Sequence, residues 1–195
     1  MLTNSFLQNL KQKVQERGNL VCVGLDPNFE LMPHHFDKSC AGAADFLQTV
    51  IEETKDLCVA FKPNMAYFEA MGIEGLRLLE KCRSWIPTDV PMILDAKRAD
   101  VGHTSKMLAK MAFDIFGADA ITLHPLMGFD SIEPFLAYRD KFNFLLALTS
   151  NPGAKDFEKQ LMQSGNPLYL DIAKRAQEWN AEYGNIGLVV GATHD

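Results

Sequence analysis

The sequence predicts an α/β fold, a TIM-type (β/α) barrel of which about six of the eight strand–helix units are present. Three observations carry the prediction. Short continuous apolar runs alternate with amphipathic stretches of helical length, the pattern of parallel strands covered by helices. Polar residues stand at the C-terminal ends of consecutive runs: Asp26, Lys62, Asp95 with Lys97, His124 and Ser150. In a barrel all such ends converge on one mouth, whereas an open doubly wound sheet gathers its ligand only at the switch point. No Gly-x-Gly-x-x-Gly follows the first run, which removes the dinucleotide-binding reading. Six strands leave a barrel unclosed, so an unpaired apolar edge is also expected.

Residues 2–16 read as a helix, with Phe6, Leu7, Leu10 and Val14 at helical spacing, Thr3 or Asn4 as N-cap, and Gly18-Asn19 as the stop. Residues 20–25 form a first buried strand that ends at Asp26-Pro27-Asn28, since proline cannot continue the ladder. A polar loop with His34 and His35 leads to a helix over 43–56. Residues 57–61 are the second strand, ending at Lys62-Pro63-Asn64. A helix over 73–82 precedes the third strand, 92–95, and another over 104–116 precedes the fourth, 120–123, which ends at His124-Pro125. Residues 131–139 are helical; 144–148 are strand five, ending at Thr149-Ser150-Asn151-Pro152. A long amphipathic helix over 167–183 and a sixth strand over 186–190 complete the series, followed by Gly191-Ala192-Thr193.

Length and composition fit this plan. The chain of 195 residues supports one core and one domain, 1–195, and 47% hydrophobic with 23% charged residues marks an ordinary globular protein. A net charge of −6 without a basic stretch argues against a nucleic-acid partner but leaves room for an anionic small substrate. Cys22, Cys40, Cys58 and Cys82 lack metal or redox spacing; they read as reduced structural thiols of a cytoplasmic protein, with Cys22 and Cys58 buried in apolar runs. No signal peptide and no membrane span are legible.

Chemistry concentrates in Leu94-Asp95-Ala96-Lys97-Arg98-Ala99-Asp100-Val101-Gly102-His103-Thr104. Period two puts Asp95 and Lys97 on one face of an extended segment and turns Arg98 away, toward an interface or a surface salt bridge. Interleaved opposite charges keep buried groups ionised. An isolated Asp-x-Lys-x-x-Asp is more often a structural ion-pair cluster; its setting among the other polar strand ends is what favours a site.

Together, Leu25-Asp26-Pro27-Asn28, Phe61-Lys62-Pro63-Asn64, the Asp95–Thr104 motif and Thr149-Ser150-Asn151-Pro152 resemble orotidine 5′-phosphate decarboxylases, specifically the bacterial type whose second strand ends Phe-Lys-Pro-Asn. The resemblance runs through essentially the whole chain in order. It lacks the family's last two strand–helix units, with the glycine-rich loop and the arginine that grip phosphate. The expectation is therefore a C-terminally truncated barrel with no phosphate-binding residues of its own, weakly active or inactive as an isolated chain.

The resemblance implies decarboxylation of orotidine 5′-monophosphate to uridine 5′-monophosphate, in pyrimidine biosynthesis, without metal or organic cofactor. Lys62, Asp95, Lys97 and Asp100 match its alternating lysine–aspartate network, with Lys97 as proton donor to C6. Asp26 and Lys62 match residues holding the ribose hydroxyls, and Ser150 a pyrimidine contact. Asp100 and Thr104 match residues reaching into the partner's site of a homodimer. Two alternatives stand beside it: a metal-dependent sugar-phosphate decarboxylase or synthase of the same superfamily, against which Lys62 speaks by repelling a dication, and a non-catalytic nucleotide-binding fragment.

Lesser features take bland readings. His34 and His35 are solvated, and His103 and His124 are surface or hydrogen-bonding groups, with His124 the better candidate to line a pocket. Asn28 and Asn64 shape turns; Trp85 and Trp179 pack, and Met65, Met71, Met107 and Met111 fill core.

Overall fold

A computed structural model describes residues 4–193. Six strands, β1 (Cys22–Leu25), β2 (Ala60–Pro63), β3 (Ile93–Arg98), β4 (Ala120–Leu123), β5 (Phe142–Leu148) and β6 (Ile186–Val190), alternate with helices α1 (Ser5–Arg17), α2 (Cys40–Thr54), α3 (Met65–Ala70), α4 (Gly72–Trp85), α5 (Gly102–Lys110), α6 (Phe129–Leu136) and α7 (Leu168–Tyr183). Every ladder between them is parallel. β1 pairs with β2, and β3 to β6 pair in sequence order. Bridges Phe61↔Met92 and Asn64↔Asp95 join the two groups. Strands thus succeed one another without the order reversal of a doubly wound sheet, which is barrel winding. β1 and β6 share no ladder among the described residues, so the ring is open.

The two faces of the sheet bury different things. One carries Leu25, Phe61, Leu94, Ile121, Leu123 and Leu145, which pack with Leu47, Ile51, Leu79, Phe113 and Phe135 of the covering helices in the main core. The other carries Ala60, Ile93, Ala120 and Phe142, which cluster with Phe6 of α1. Helix α1 therefore plugs one end of the ring, its Phe6 stacked on Phe142 with centroids 5.1 Å apart. One strand step further on that same inner face come Lys62, Asp95, Thr122 and Phe144. The polar groups lie directly above an apolar floor.

Several expectations need correction. β1 is not a buried strand: Leu25 is buried, but Cys22 is exposed and Leu20 and Val21, outside the strand, are 80% and 52% exposed. Among the described residues its outer edge pairs with no strand, so half of the covering that a central strand enjoys is missing. β2 starts at Ala60 rather than at residue 57, because Leu57 closes the turn after α2 by donating its N–H to Thr54 O. α3 was not legible. It is a single short helix whose first turn is capped by Asn64 Oδ1, which accepts from Ala66 N. α1 buries Phe6 as expected but also Lys13, whose ammonium is held by Glu16 and Asp89. Its N-cap is Asn4, and Leu2 and Thr3 lie outside the described residues, as do His194 and Asp195. Met65 is buried and Met71 and Met111 pack on the core, as do Trp85 and Trp179, whereas Met107 is 62% exposed on the outer side of α5. No helix of the described residues is long and apolar enough to cross a membrane.

Candidate functional site

Asp95 organises the site. β3 carries it into the layer above the apolar floor, where only 8% of its surface stays accessible. Its two oxygens are fully used: Oδ2 accepts from Lys62 Nζ of β2 at 3.0 Å, and Oδ1 accepts from Lys97 Nζ at 2.7 Å and from Thr122 Oγ1 of β4 at 2.7 Å. Burial alone would raise the Asp95 pKa; the hydrogen bonds from Lys97, Thr122 and Lys62 outweigh it and hold the carboxyl below its ordinary value. The carboxylate is buried and charged because three donors on three strands converge on it.

The ammonium groups differ from their anchor. The Lys62 and Lys97 side chains remain 35% and 48% exposed against 10% for Asp95, so both cations open toward the mouth. Lys97 also has a backbone φ of 48°, the only positive φ at a non-glycine among the described residues. Such a conformation costs about 1–3 kcal/mol and persists where surrounding structure over-determines it. Here the Lys97 N–H is bound by Thr122 Oγ1 at 3.0 Å. The group can do one thing well: present fixed positive charge to a ligand atom that becomes negative, from a wall with little reorganisation to perform.

The remaining candidates lie around this centre with varying closeness. Asp26 is exposed just beyond β1, and its Oδ1 leans over Gly24, 3.6 Å from where a Cβ would stand. Gly24 in turn pairs in register with Lys62, so Asp26 borders the same mouth. Ser150 is exposed at the end of β5, backed by Gly191 at the end of β6. Asp100 is half-buried and turned onto its own chain, Oδ1 accepting the Val101 N–H at 2.7 Å, and it makes no ion pair among the described residues. Thr104 is half-buried in the first turn of α5. The structure therefore assembles Lys62, Asp95 and Lys97 within one chain and leaves Asp100 apart from them.

His124 lines a cavity of ≈ 110 Å³ with Leu146, Thr149 and Glu158. His103, His34 and His35 are exposed. Asn28 shapes a turn, its Oδ1 accepting from Glu30 N. Arg98 faces away from Lys97 and pairs with Glu69 of α3. Two contributors escaped the sequence reading. Thr122 is one; the only signal was a hydroxyl in an otherwise apolar strand, two residues before His124 and so on its face. Glu158 is the other, its carboxylate accepting from the Thr149 N–H at 2.7 Å and from the Thr149 hydroxyl, and so holding the segment that carries Ser150. Among the described residues no three His, Cys, Asp or Glu side chains are grouped to hold a metal ion.

The sequence profile of the family described as "Orotidine 5'-phosphate decarboxylase / HUMPS family" matches residues 19–195. Among curated relatives, the orotidine 5′-phosphate decarboxylase of Herpetosiphon aurantiacus is 45% identical over 190 residues, covering 97% of this chain and 71% of that protein. That of Verminephrobacter eiseniae is 48% identical over 196 aligned residues, with 97% and 71% covered. Among solved structures, Leishmania donovani OMP decarboxylase superposes with a TM-score of 0.88 at 40% identity, covering 97% of this chain and 72% of that one. A putative orotidine 5′-phosphate decarboxylase from Streptomyces avermitilis gives 0.89 at 30% identity, with 100% and 72% covered.

Proposed function

This chain belongs to the orotidine 5′-phosphate decarboxylase / HUMPS family, and on that premise we propose that its site removes CO2 from orotidine 5′-monophosphate to give uridine 5′-monophosphate, with Lys97 delivering the proton to C6. The observation that carries the reading is the Lys62–Asp95–Lys97 group, two ammoniums on one buried carboxylate at the open end of parallel strands.

Loss of CO2 at a vinylic carbon leaves an electron pair that the ring cannot delocalise. A fixed cation at that carbon lowers the energy of the developing charge and then quenches it by proton transfer. Asp95 holds Lys97 aimed: the carboxylate binds one N–H and leaves the ammonium turned to the mouth. Lys62, tied to the other oxygen, binds the ribose hydroxyls together with Asp26, a role that the Gly24–Lys62 register beside Asp26 supports, and Ser150 meets the pyrimidine. Asp100 and Thr104 serve the neighbouring site of a homodimer, which agrees with Asp100 lying apart from Lys97 within one chain. The route asks for no metal or organic cofactor, since the lysine supplies both the field and the proton.

The metal-dependent sugar-phosphate reaction of the same superfamily is disfavoured by Lys62. Its ammonium occupies the position beside Asp95 where a dication would need a carboxylate. The deciding assay is conversion of orotidine 5′-monophosphate by the purified protein, followed by chromatography of the product nucleotide, for wild type and Lys97→Ala. Uridine 5′-monophosphate formation that is abolished in the variant, while calorimetry still shows nucleotide binding, is the expected result. A variant that keeps most of its rate, or a wild type that neither binds uridine 5′-monophosphate nor forms it, overturns the reading.

A further inference from the structure

β3 and β4 run in register at Ile93↔Ala120 and Leu94↔Ile121, then slip, so that Arg98 pairs with Leu123. The extra length in β3 falls on Asp95, Ala96 and Lys97, and it is there that Lys97 takes φ 48°. Such a bulge withdraws backbone groups from the ladder. Thr122, 4% exposed on the facing strand, fills the gap with its side chain. Its oxygen accepts the Lys97 N–H at 3.0 Å and donates to Asp95 Oδ1 at 2.7 Å. The direction of the second bond follows from chemistry: a hydroxyl has one proton, an ionised carboxylate none, so the proton lies between Thr122 and Asp95.

We propose that Thr122 is a positioning residue for the site: its single hydroxyl locks the Lys97 backbone and the Asp95 carboxylate together and thereby aims the Lys97 ammonium. Thr122 acts through these two groups and has no contact of its own with the reacting atoms. The inference deepens the decarboxylase reading and rests on it for its catalytic consequence, but the positioning itself is measurable without turnover. Two geometric features make it more than a strand-packing detail. The same oxygen serves both partners, so removing it loosens both at once, and the backbone it grips is the one non-glycine residue described in the left-handed region.

The variants are Thr122→Val, which keeps shape and loses the hydroxyl, and Thr122→Ser, which keeps the hydroxyl. The first readout is the Asp95 carboxyl titration in the unliganded protein, by carboxyl-carbon NMR. The ionisable groups facing Asp95 are Lys62 from β2, Lys97 from β3 and Cys22 from β1, none of which either substitution replaces. Loss of a hydrogen bond to the ionised form moves the Asp95 midpoint upward in Thr122→Val by about half a pH unit or more, and Thr122→Ser returns it to the wild-type value. The Lys97 amide is protected from exchange in wild type and in Thr122→Ser, and loses protection in Thr122→Val. The second readout is turnover: kcat falls about 10- to 100-fold in Thr122→Val with KM changed less than about threefold, and Thr122→Ser recovers most of it.

An unchanged Asp95 midpoint in Thr122→Val, or an unprotected Lys97 amide in wild type, overturns the inference. Should the valine variant fail to fold, Thr122→Ala against Thr122→Ser makes the same comparison. A wild type that shows the NMR behaviour but neither binds nor forms uridine 5′-monophosphate leaves the positioning standing and removes the decarboxylase reading instead.

Discussion

Lys62 and Asp95 meet across neighbouring strands, Nζ to Oδ2 at 3.0 Å, where the backbone ladder between β2 and β3 is reduced to two isolated bridges. A side-chain ion pair therefore does part of the joining that main-chain bonds do elsewhere in the sheet. Charge placement and strand placement are coupled at this point.

That coupling makes stability depend on pH through Asp95. Folding lowers the Asp95 pKa, so the ionised carboxylate contributes stability above its unfolded value of about 3.9. The contribution is lost as pH falls through the lower folded value. Asp95→Asn is expected to lose about 1–3 kcal/mol near pH 7, with the gap to wild type shrinking as pH drops below about 4. Urea unfolding at both pH values measures it; a gap independent of pH would show that the charge on Asp95 is not what matters.

Asp100 is placed by proposal in a partner's site, and complementation tests that directly. Mixing Lys97→Ala and Asp100→Ala protomers, each inactive alone, rebuilds one intact site per mixed dimer. Recovery of about a quarter of wild-type activity is expected for random pairing. No recovery would place Asp100 in its own chain's site.

Metal dependence separates the two superfamily chemistries. Decarboxylation is expected to be unchanged by EDTA and by added Mg2+, because ammoniums supply the positive charge at the site. Stimulation of about tenfold or more by the dication would favour the sugar-phosphate reaction.

Phe6 closes the apolar end of the ring by stacking on Phe142 and meeting Phe144 edge-on at 6.0 Å. Phe6→Ala should cost about 3–5 kcal/mol, read as a lowered urea midpoint. A loss below about 1 kcal/mol would mean that α1 contributes little to the floor.

Gly191 lies so close to the β5 end that a Cβ there would stand 2.9 Å from the Ser150 backbone. Gly191→Ala is expected to push Ser150 outward and weaken uridine 5′-monophosphate binding about tenfold in calorimetry. Unaltered affinity would remove Ser150 from the pyrimidine contacts.

Much of this was legible because burial leaves a one-dimensional trace. Apolar runs interrupted at Asp26, Lys62 and Ser150 announced strands near their C-terminal ends, and β4 and β6 fall on the expected residues, whereas β2 runs through Lys62 to Pro63 and β3 runs past the expected end at Asp95 to Arg98. The turn role of Asn28 and the outward ion pair of Arg98 followed from local rules, whereas Asn64, expected to shape a turn, caps α3. Exposure of Cys22 and Met107 did not, since an apolar residue carries no mark of whether a neighbour covers it.

The sequence by itself determined which polar residues follow the apolar runs and which of them share a face, because burial sets the first and the period of an extended chain the second. Only the tertiary structure decided that three donors close on Asp95, that Lys97 turns left-handed, and that Thr122 bridges the two. Those contacts depend on how far one strand slips against the next, and a slip between residues 25 positions apart leaves no pattern along the chain.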